Sequence, residues 1–275
     1  MEKISPDKPY IKDGSQEMFT GKRTFVITAA GGNGTAIRVL DNPLSRTEYA
    51  KQGTNFGNAM GKFGAEQTAF LVLSENHLEM GGGEFCGNAS RSAAVILSEI
   101  QKKANVSFTV SGYVGIVRAN TQKLTDNTYD VECIFDKLPI HSNDVTLSNG
   151  QHASIVDLGG IIHVIIEAQF PQGGSAAYQA AHRSITAELG LGHHSAVGVI
   201  WFERAEQSVV MHPVVWVKDV DTFFYEQSCG SGTIALAKTT GAHSITQPTG
   251  QDIEAVITDD GVTLRGKMEL VHYED

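Results

Sequence analysis

The chain has 275 residues, of which 41% are apolar and 19% charged, and its formal net charge is −10. That balance fits a folded globular protein with one large core or two smaller ones and excludes a disordered chain. The acidic charge argues against nucleic acid or an anionic membrane surface as partner, and no apolar run reaches the roughly 18–20 residues that span a bilayer.

In chain order, residues 1–21 are polar and lack the basic, apolar and small-residue regions of a signal peptide. They read as a flexible extension of a cytoplasmic protein. Strands are predicted at "RTFVITAA", "AFLVLSENHLEM", "NVSFTV", "YVGIVRAN" and "YDVECIF", all rich in β-branched and aromatic residues. Between the first two, Tyr49, Met60 and Phe63 stand at loose helical spacing. A helix is predicted in "ASRSAAVILSEIQKK", capped by Asn88 or Ser90 and closed by Lys102 and Lys103.

The second half repeats the scheme. Strands are predicted at "ASIVDLGGIIHVIIEA", "AVGVIWFER", "SVVMHPVVWVKDV" and "DTFFYE", and helices at "GSAAYQAAHRSITAELG" and "GTIALAKTTGA". Extended segments follow to the end. "FDKLPIHSND" offers a seam near Pro139. The pattern predicts an α+β protein of two halves, 22–138 and 139–265, with a terminal strand at about 266–275 returning to the first half.

Each half carries one cysteine in similar company. "EFCGNASR" and "QSCGSGT" place a cysteine and a glycine directly before a helix. Aligned on Cys86 and Cys229, Gly87 matches Gly230, Ser90 matches Thr233 and Ala94 matches Ala237. A helix start leaves N–H groups unpaired and carries about half a positive charge, so both thiols are expected below the usual pKa of about 8.5. Two such sites predict an acid/base pair on opposite faces of one small substrate, the arrangement that inverts a carbon centre. The helix starts would stabilise charge growing on a substrate carboxylate. Cys133, alternating with polar neighbours in "YDVECIF", is expected to be inert core.

Both cysteine motifs resemble those of the cofactor-independent diaminopimelate epimerase superfamily. From about Thr24 onward, "AAGGNGTAIRVLDN", "KFGAEQTAFLV", "GGIIHVII" and "QPTGQ" are similar to its further segments. The resemblance implies two pseudosymmetric halves, each a strongly curved, mainly antiparallel sheet around a central helix, with the active site between them. It implies Cys86 and Cys229 as catalytic groups, Asn33, Gln67, Gly87, Asn88, Gly230 and Ser231 as substrate-binding residues, and neither cofactor nor metal.

Two departures bear on the substrate. Ile161 stands where the superfamily's G-N-P-H segment has asparagine, and Gln227 follows Glu226 where an E-R pair has arginine. Losing an arginine and an amide disfavours a distal carboxylate. The Glu66-Gln67 pair, "MGGGEFCGNA" and "EQSCGSGT" resemble the superfamily's histidine racemases more closely. That implies an amino acid substrate, histidine, with Glu66 and Glu226 facing its imidazole. The alternatives are a diaminopimelate epimerase, a racemase of another amino acid, or a cysteine-nucleophile hydrolase with His163 as base. His163 itself, in "IIHVII", reads as a core histidine. A homodimer is open as the assembly. "GGNGTAI" is similar to a dinucleotide loop but has Ile37 at the third glycine position, and His193-His194 lacks partners at metal-ligand spacing.

Overall fold

The structure, a computed structural model, describes Phe19 and residues 21–205, 208–219 and 222–275. Of the expected extension 1–21, Phe19 is buried and stacks on Phe25 at 5.1 Å; the rest, apart from Gly21, lies outside the described residues.

The first strands are β1 (Thr24–Ala29), β2 (Gly32–Leu40), β3 (Ala65–Val72), β4 (His77–Met80), β5 (Asn105–Val110), β6 (Val117–Lys123) and β7 (Thr128–Asp136). They neighbour one another in that order, and the last strand, β16 (Gly261–Glu274), pairs with both β7 and β1. This closes a ring of eight strands around one helix, α2 (Gly87–Gln101). A helix buried all round must be apolar or small on every face, and α2 is buried from Gly87 through Glu99. Its serines turn inward on their own backbone, as in Ser92 Oγ donating to Asn88 O at 3.1 Å.

From β16 the same sheet continues through β15 (Asp252–Thr258), β14 (Ser244–Thr246), β12 (Val209–Val217), β11 (Ala196–Arg204), β10 (Ile162–Glu167), β9 (His152–Asp157) and β8 (His141–Thr146). β13 (Thr222–Tyr225) pairs with β12. A second buried helix, α4 (Gly230–Thr240), packs against β9, β10, β14 and β15, and its start meets the start of α2. Helix α3 (Ser175–Glu188) lies on the other face, against β11 and β12, over a satellite core around Val164, Val199 and Trp201. Among the described residues no helix is long and apolar enough to cross a membrane.

Differences from the sequence reading have local causes. "GGNGTAIRVL" looks like a loop because of its glycines, yet Gly32–Leu40 is a strand buried on both faces. Its Gly34 lets the backbone of Gly64 approach where a Cβ would collide. The run "AFLVLSENHLEM" divides into β3 and β4 at a turn with Asn76 at φ 45°. The predicted helix with Tyr49 and Met60 is α1 (Arg46–Met60), started by a Ser45–Glu48 capping box. Phe63 falls beyond it, in a short 3₁₀ turn, and stacks on His272.

Candidate active site

Cys86 and Cys229 occupy the same position on their two helices. Each is the N-cap, with φ −134° and ψ 112° at Cys86 and φ −140° and ψ 107° at Cys229. Each sulfur accepts from the amide three residues on, Ala89 N–H at 3.4 Å and Gly232 N–H at 3.3 Å. Ser90 Oγ donates to Cys86 O at 2.8 Å, and Thr233 Oγ1 donates to Cys229 O at 2.7 Å. The cap is therefore the thiol itself. Asn88 and Ser90, expected as caps, lie inside the first turn because the last extended residue before the helix is the cysteine.

The two helix starts meet face to face. A Cβ on Gly87 would lie 3.2 Å from Gly230 C and 2.6 Å from Leu264 Cδ2, and one on Gly230 would lie 3.0 Å from Asn88 Oδ1. Only glycine allows backbones this close. Both cysteines consequently line one small cavity, together with Gln67, Glu84, Phe85, Asn88, Ile161, Val215, Val217, Glu226, Gly230 and Ser231. Its volume is about 10 Å³, room for about one water.

A polar chain joins the thiols. Cys86 Sγ donates to Gln67 Oε1 at 3.0 Å, and Gln67 Nε2 donates to Glu226 Oε1 at 2.6 Å. Glu226 is in turn hydrogen-bonded to Cys229. Behind it, Asn33 Nδ2 and Asn88 Nδ2 both donate to Ser228 O, at 2.8 and 3.0 Å. Gln247 Oε1 accepts from Cys229 N–H at 2.8 Å. His163 is fully buried, its Nε2 lies 3.0 Å from Ser231 Oγ, and that hydroxyl is 3.7 Å from Cys229 Sγ.

A larger cavity of about 320 Å³ adjoins this one and shares Gln67, Glu84, Val215, Val217 and Glu226 with it. Glu66, Thr68, Phe224 and the small residues Gly53, Gly57 and Gly81 complete much of its wall. An amino acid side chain fits a space at the low end of the usual ligand-pocket range. The walls hold three carboxyls and no Lys or Arg among the described residues.

Burial governs the ionisation of the whole site. Glu66 and Glu84 are pushed up to about 7 and Glu226 to about 8, in each case chiefly by desolvation. Cys86 is pushed up to about 12, first by burial and then by the charge of Glu226. Cys229 rises well above the usual thiol range for the same two reasons. The expectation of lowered thiol pKa values is thus corrected: the amides of Ala89 and Gly232 do favour thiolate, but burial beside an anion outweighs them. His163 is driven down to about 3 by burial and is neutral.

The structure therefore brings Cys86, Cys229, Gln67, Asn88, Gly230, Ser231, Glu66 and Glu226 to the cavity walls. Asn33 and Gly87 stand behind the walls, the first tying down Ser228 and bonding to Glu226, the second permitting the close approach. Val215, Val217 and Gln247 were not singled out by the sequence, since an apolar strand residue or a turn glutamine carries no local mark of function. Among the described residues no group of three or more His, Cys, Asp or Glu is arranged to hold a metal ion.

Known proteins similar to this chain bear on its family and fold. A family model described as the histidine racemase CntK N-terminal domain matches residues 42–270. A histidine racemase of Fusobacterium nucleatum is 30% identical over 218 residues, covering 75% of this chain and 80% of that protein. Among solved structures, one described as a predicted epimerase of Pseudomonas aeruginosa superposes with a TM-score of 0.61 at 12% identity, covering 93% and 99% of the two chains. A hydroxyproline epimerase of Agrobacterium vitis gives 0.60 at 11% identity, over 92% and 90%. At such identities these two show the mixed, sheet-rich α+β fold.

Proposed function

The chain belongs to the histidine racemase family, and on that premise we propose that it is a cofactor-independent racemase interconverting L- and D-histidine. The observation that carries the reading is the matched placement of Cys86 and Cys229 as N-caps flanking one cavity. The two halves act as pseudosymmetric partners, each delivering one thiol and one helix start to the substrate.

The substrate α-carboxylate sits against the first-turn amides of α2 and α4, which have no intrahelical partner. There the helix dipoles stabilise the enediolate-like charge that grows as the Cα proton leaves. One sulfur, as thiolate, takes that proton, and the other, as thiol, gives its own to the opposite face. The pair ends with its roles exchanged and is ready for the reverse reaction. One thiol must ionise first, and in the free site burial and Glu226 oppose this. The substrate ammonium, bound beside Glu226, places a positive charge between the sulfurs and reverses the Coulombic part of that opposition.

Histidine is favoured over a dicarboxylic amino acid by the walls of the larger cavity. A distal carboxylate would meet Glu66, Glu84 and Glu226 with no Lys or Arg among the described lining residues. A hydrolase with His163 as base is disfavoured, because its ring nitrogen is bonded to Ser231 and burial, which drives it down to about 3, leaves it too weak a base to take a thiol proton. The cavity lined by both cysteines holds only about 10 Å³, which supports a reading in which the halves separate to admit substrate.

Incubation of reduced enzyme with L-histidine in D₂O, without added cofactor, tests the proposal. Inverted product carrying deuterium at Cα is expected, and Cys86→Ala and Cys229→Ala should each abolish racemisation. Full racemisation by either variant would refute the two-thiol mechanism.

A further inference from the structure

We propose that Glu84 acts with Glu66 as a two-carboxylate clamp that takes the histidine side chain in its doubly protonated, imidazolium form. The inference deepens the histidine reading and rests on it.

Of the three carboxyls around the cavities, Glu226 is already engaged by Gln67, Cys229 and Asn33. The other two each keep one oxygen free: the Glu84 carboxyl accepts from the backbone of Gly82 and of Glu84 itself, but Glu84 Oε2 and Glu66 Oε2 are buried with no hydrogen-bond partner among the described residues. Glu84 is only 6% exposed and lines both cavities, so it stands where they join. Its position is a built one. A Cβ on Gly82 would lie 2.4 Å from Val217 Cγ1 and 2.6 Å from Glu84 Oε2, so the glycine leaves room for this carboxyl beside β12. Native proteins rarely leave a buried acceptor unpaired without a reason. Here two such acceptors look onto a space sized for an amino acid side chain.

The ring chemistry fits that pair. Neutral imidazole offers one N–H donor and one acceptor, whereas imidazolium offers two donors. Once both carboxyls are ionised, their two orphan oxygens therefore match the cation and leave one mismatch with the neutral ring. Charge points the same way. Glu84 is faced by Arg46 from α1, Glu79 from β4, and Glu226 and Cys86 in the site. Arg46 is itself occupied by Glu79, Met80 O and Gly81 O. A cationic ring supplies the countercharge that the wall lacks, and the burial that keeps both carboxyls near neutrality lets the ring proton come from either side of the contact.

The test follows ¹⁵N-labelled histidine bound to the wild-type enzyme at its own racemic equilibrium. The bound imidazole should titrate about one pH unit or more above its ordinary value of about 6.5. Glu84→Gln, which keeps the shape and removes the charge, should return that titration toward the free value. It should also raise KM for histidine about tenfold or more and narrow the preference over a neutral thienylalanine. Glu66→Gln should do the same. A bound imidazole titrating at or below its free value overturns the clamp, and so does an unchanged KM in a folded Glu84→Gln. Absence of histidine racemisation in the wild type would instead sink the functional reading itself.

Discussion

Replacing Glu226 by glutamine should make the free enzyme more stable while making it a worse racemase. The side chain is 3% exposed, and its carboxyl is raised from 4.5 to about 8, chiefly by burial. Below about pH 4.5 the carboxyl is protonated in both the folded and the unfolded chain, so the substitution is close to neutral. As pH rises the unfolded chain ionises first, while the folded one keeps its proton until about 8. The wild type therefore loses stability across that window, and glutamine does not. At about 1.4 kcal/mol per pH unit the difference reaches about 3–5 kcal/mol at pH 8. The glutamine carbonyl can still accept from Gln67 Nε2, so the bond at 2.6 Å need not be lost. Urea denaturation of both proteins from pH 4.5 to 8.5 measures the effect. Glu66 and Glu84, raised to about 7, add to the same downward slope, so the variant should flatten the curve without levelling it. Parallel stability curves, or a variant less stable than wild type at pH 8, would refute the argument that desolvation dominates this carboxyl.

The remaining expectations concern the thiols and the junction of the helices. With Cys86 near 12, its thiolate fraction at pH 8 is on the order of 10⁻⁴ against roughly a quarter for a free cysteine; iodoacetamide should label it about 10³-fold more slowly than glutathione, and labelling at the free-thiol rate would contradict that ionisation. Gly230→Ala puts a Cβ 3.1 Å from Gly87 C, so it should cost about 1–3 kcal/mol of stability and lower kcat by moving one sulfur, read by denaturation and by Cα exchange in D₂O. Asn33→Ala removes the bond to Ser228 O and leaves alanine at φ 45°. Together these should cost about 2 kcal/mol, measured as a lower urea midpoint, with any loss of activity following from the displaced Ser228 and Cys229 and from the lost bond to Glu226.

The two thiols were legible in the sequence because their context repeats: a cysteine followed by a glycine and a hydroxyl residue at the start of an apolar helix is a local feature, and the matched caps carry it into three dimensions. Most strands were legible for the same reason, as in β7, where Tyr129, Val131, Cys133 and Phe135 alternate inward. What stayed hidden depends on partners distant in the chain. β2 is a strand because β1 and β3 flank it, which its glycines conceal. Glu84 looks like a loop residue until β12 brings Val215 and Val217 across from it. The ionisation of the cysteines is the sharpest instance. A helix start taken alone predicts a lowered thiol pKa, and the amides of Ala89 and Gly232 are there to do it. The opposing influences are burial and the charge of Glu226, and for Cys86 both depend on residues far along the chain. Thiols held protonated by burial and by Glu226 are ones whose activation a bound positive charge favours, and the ammonium of an amino acid is the charge that the proposed reaction brings beside them.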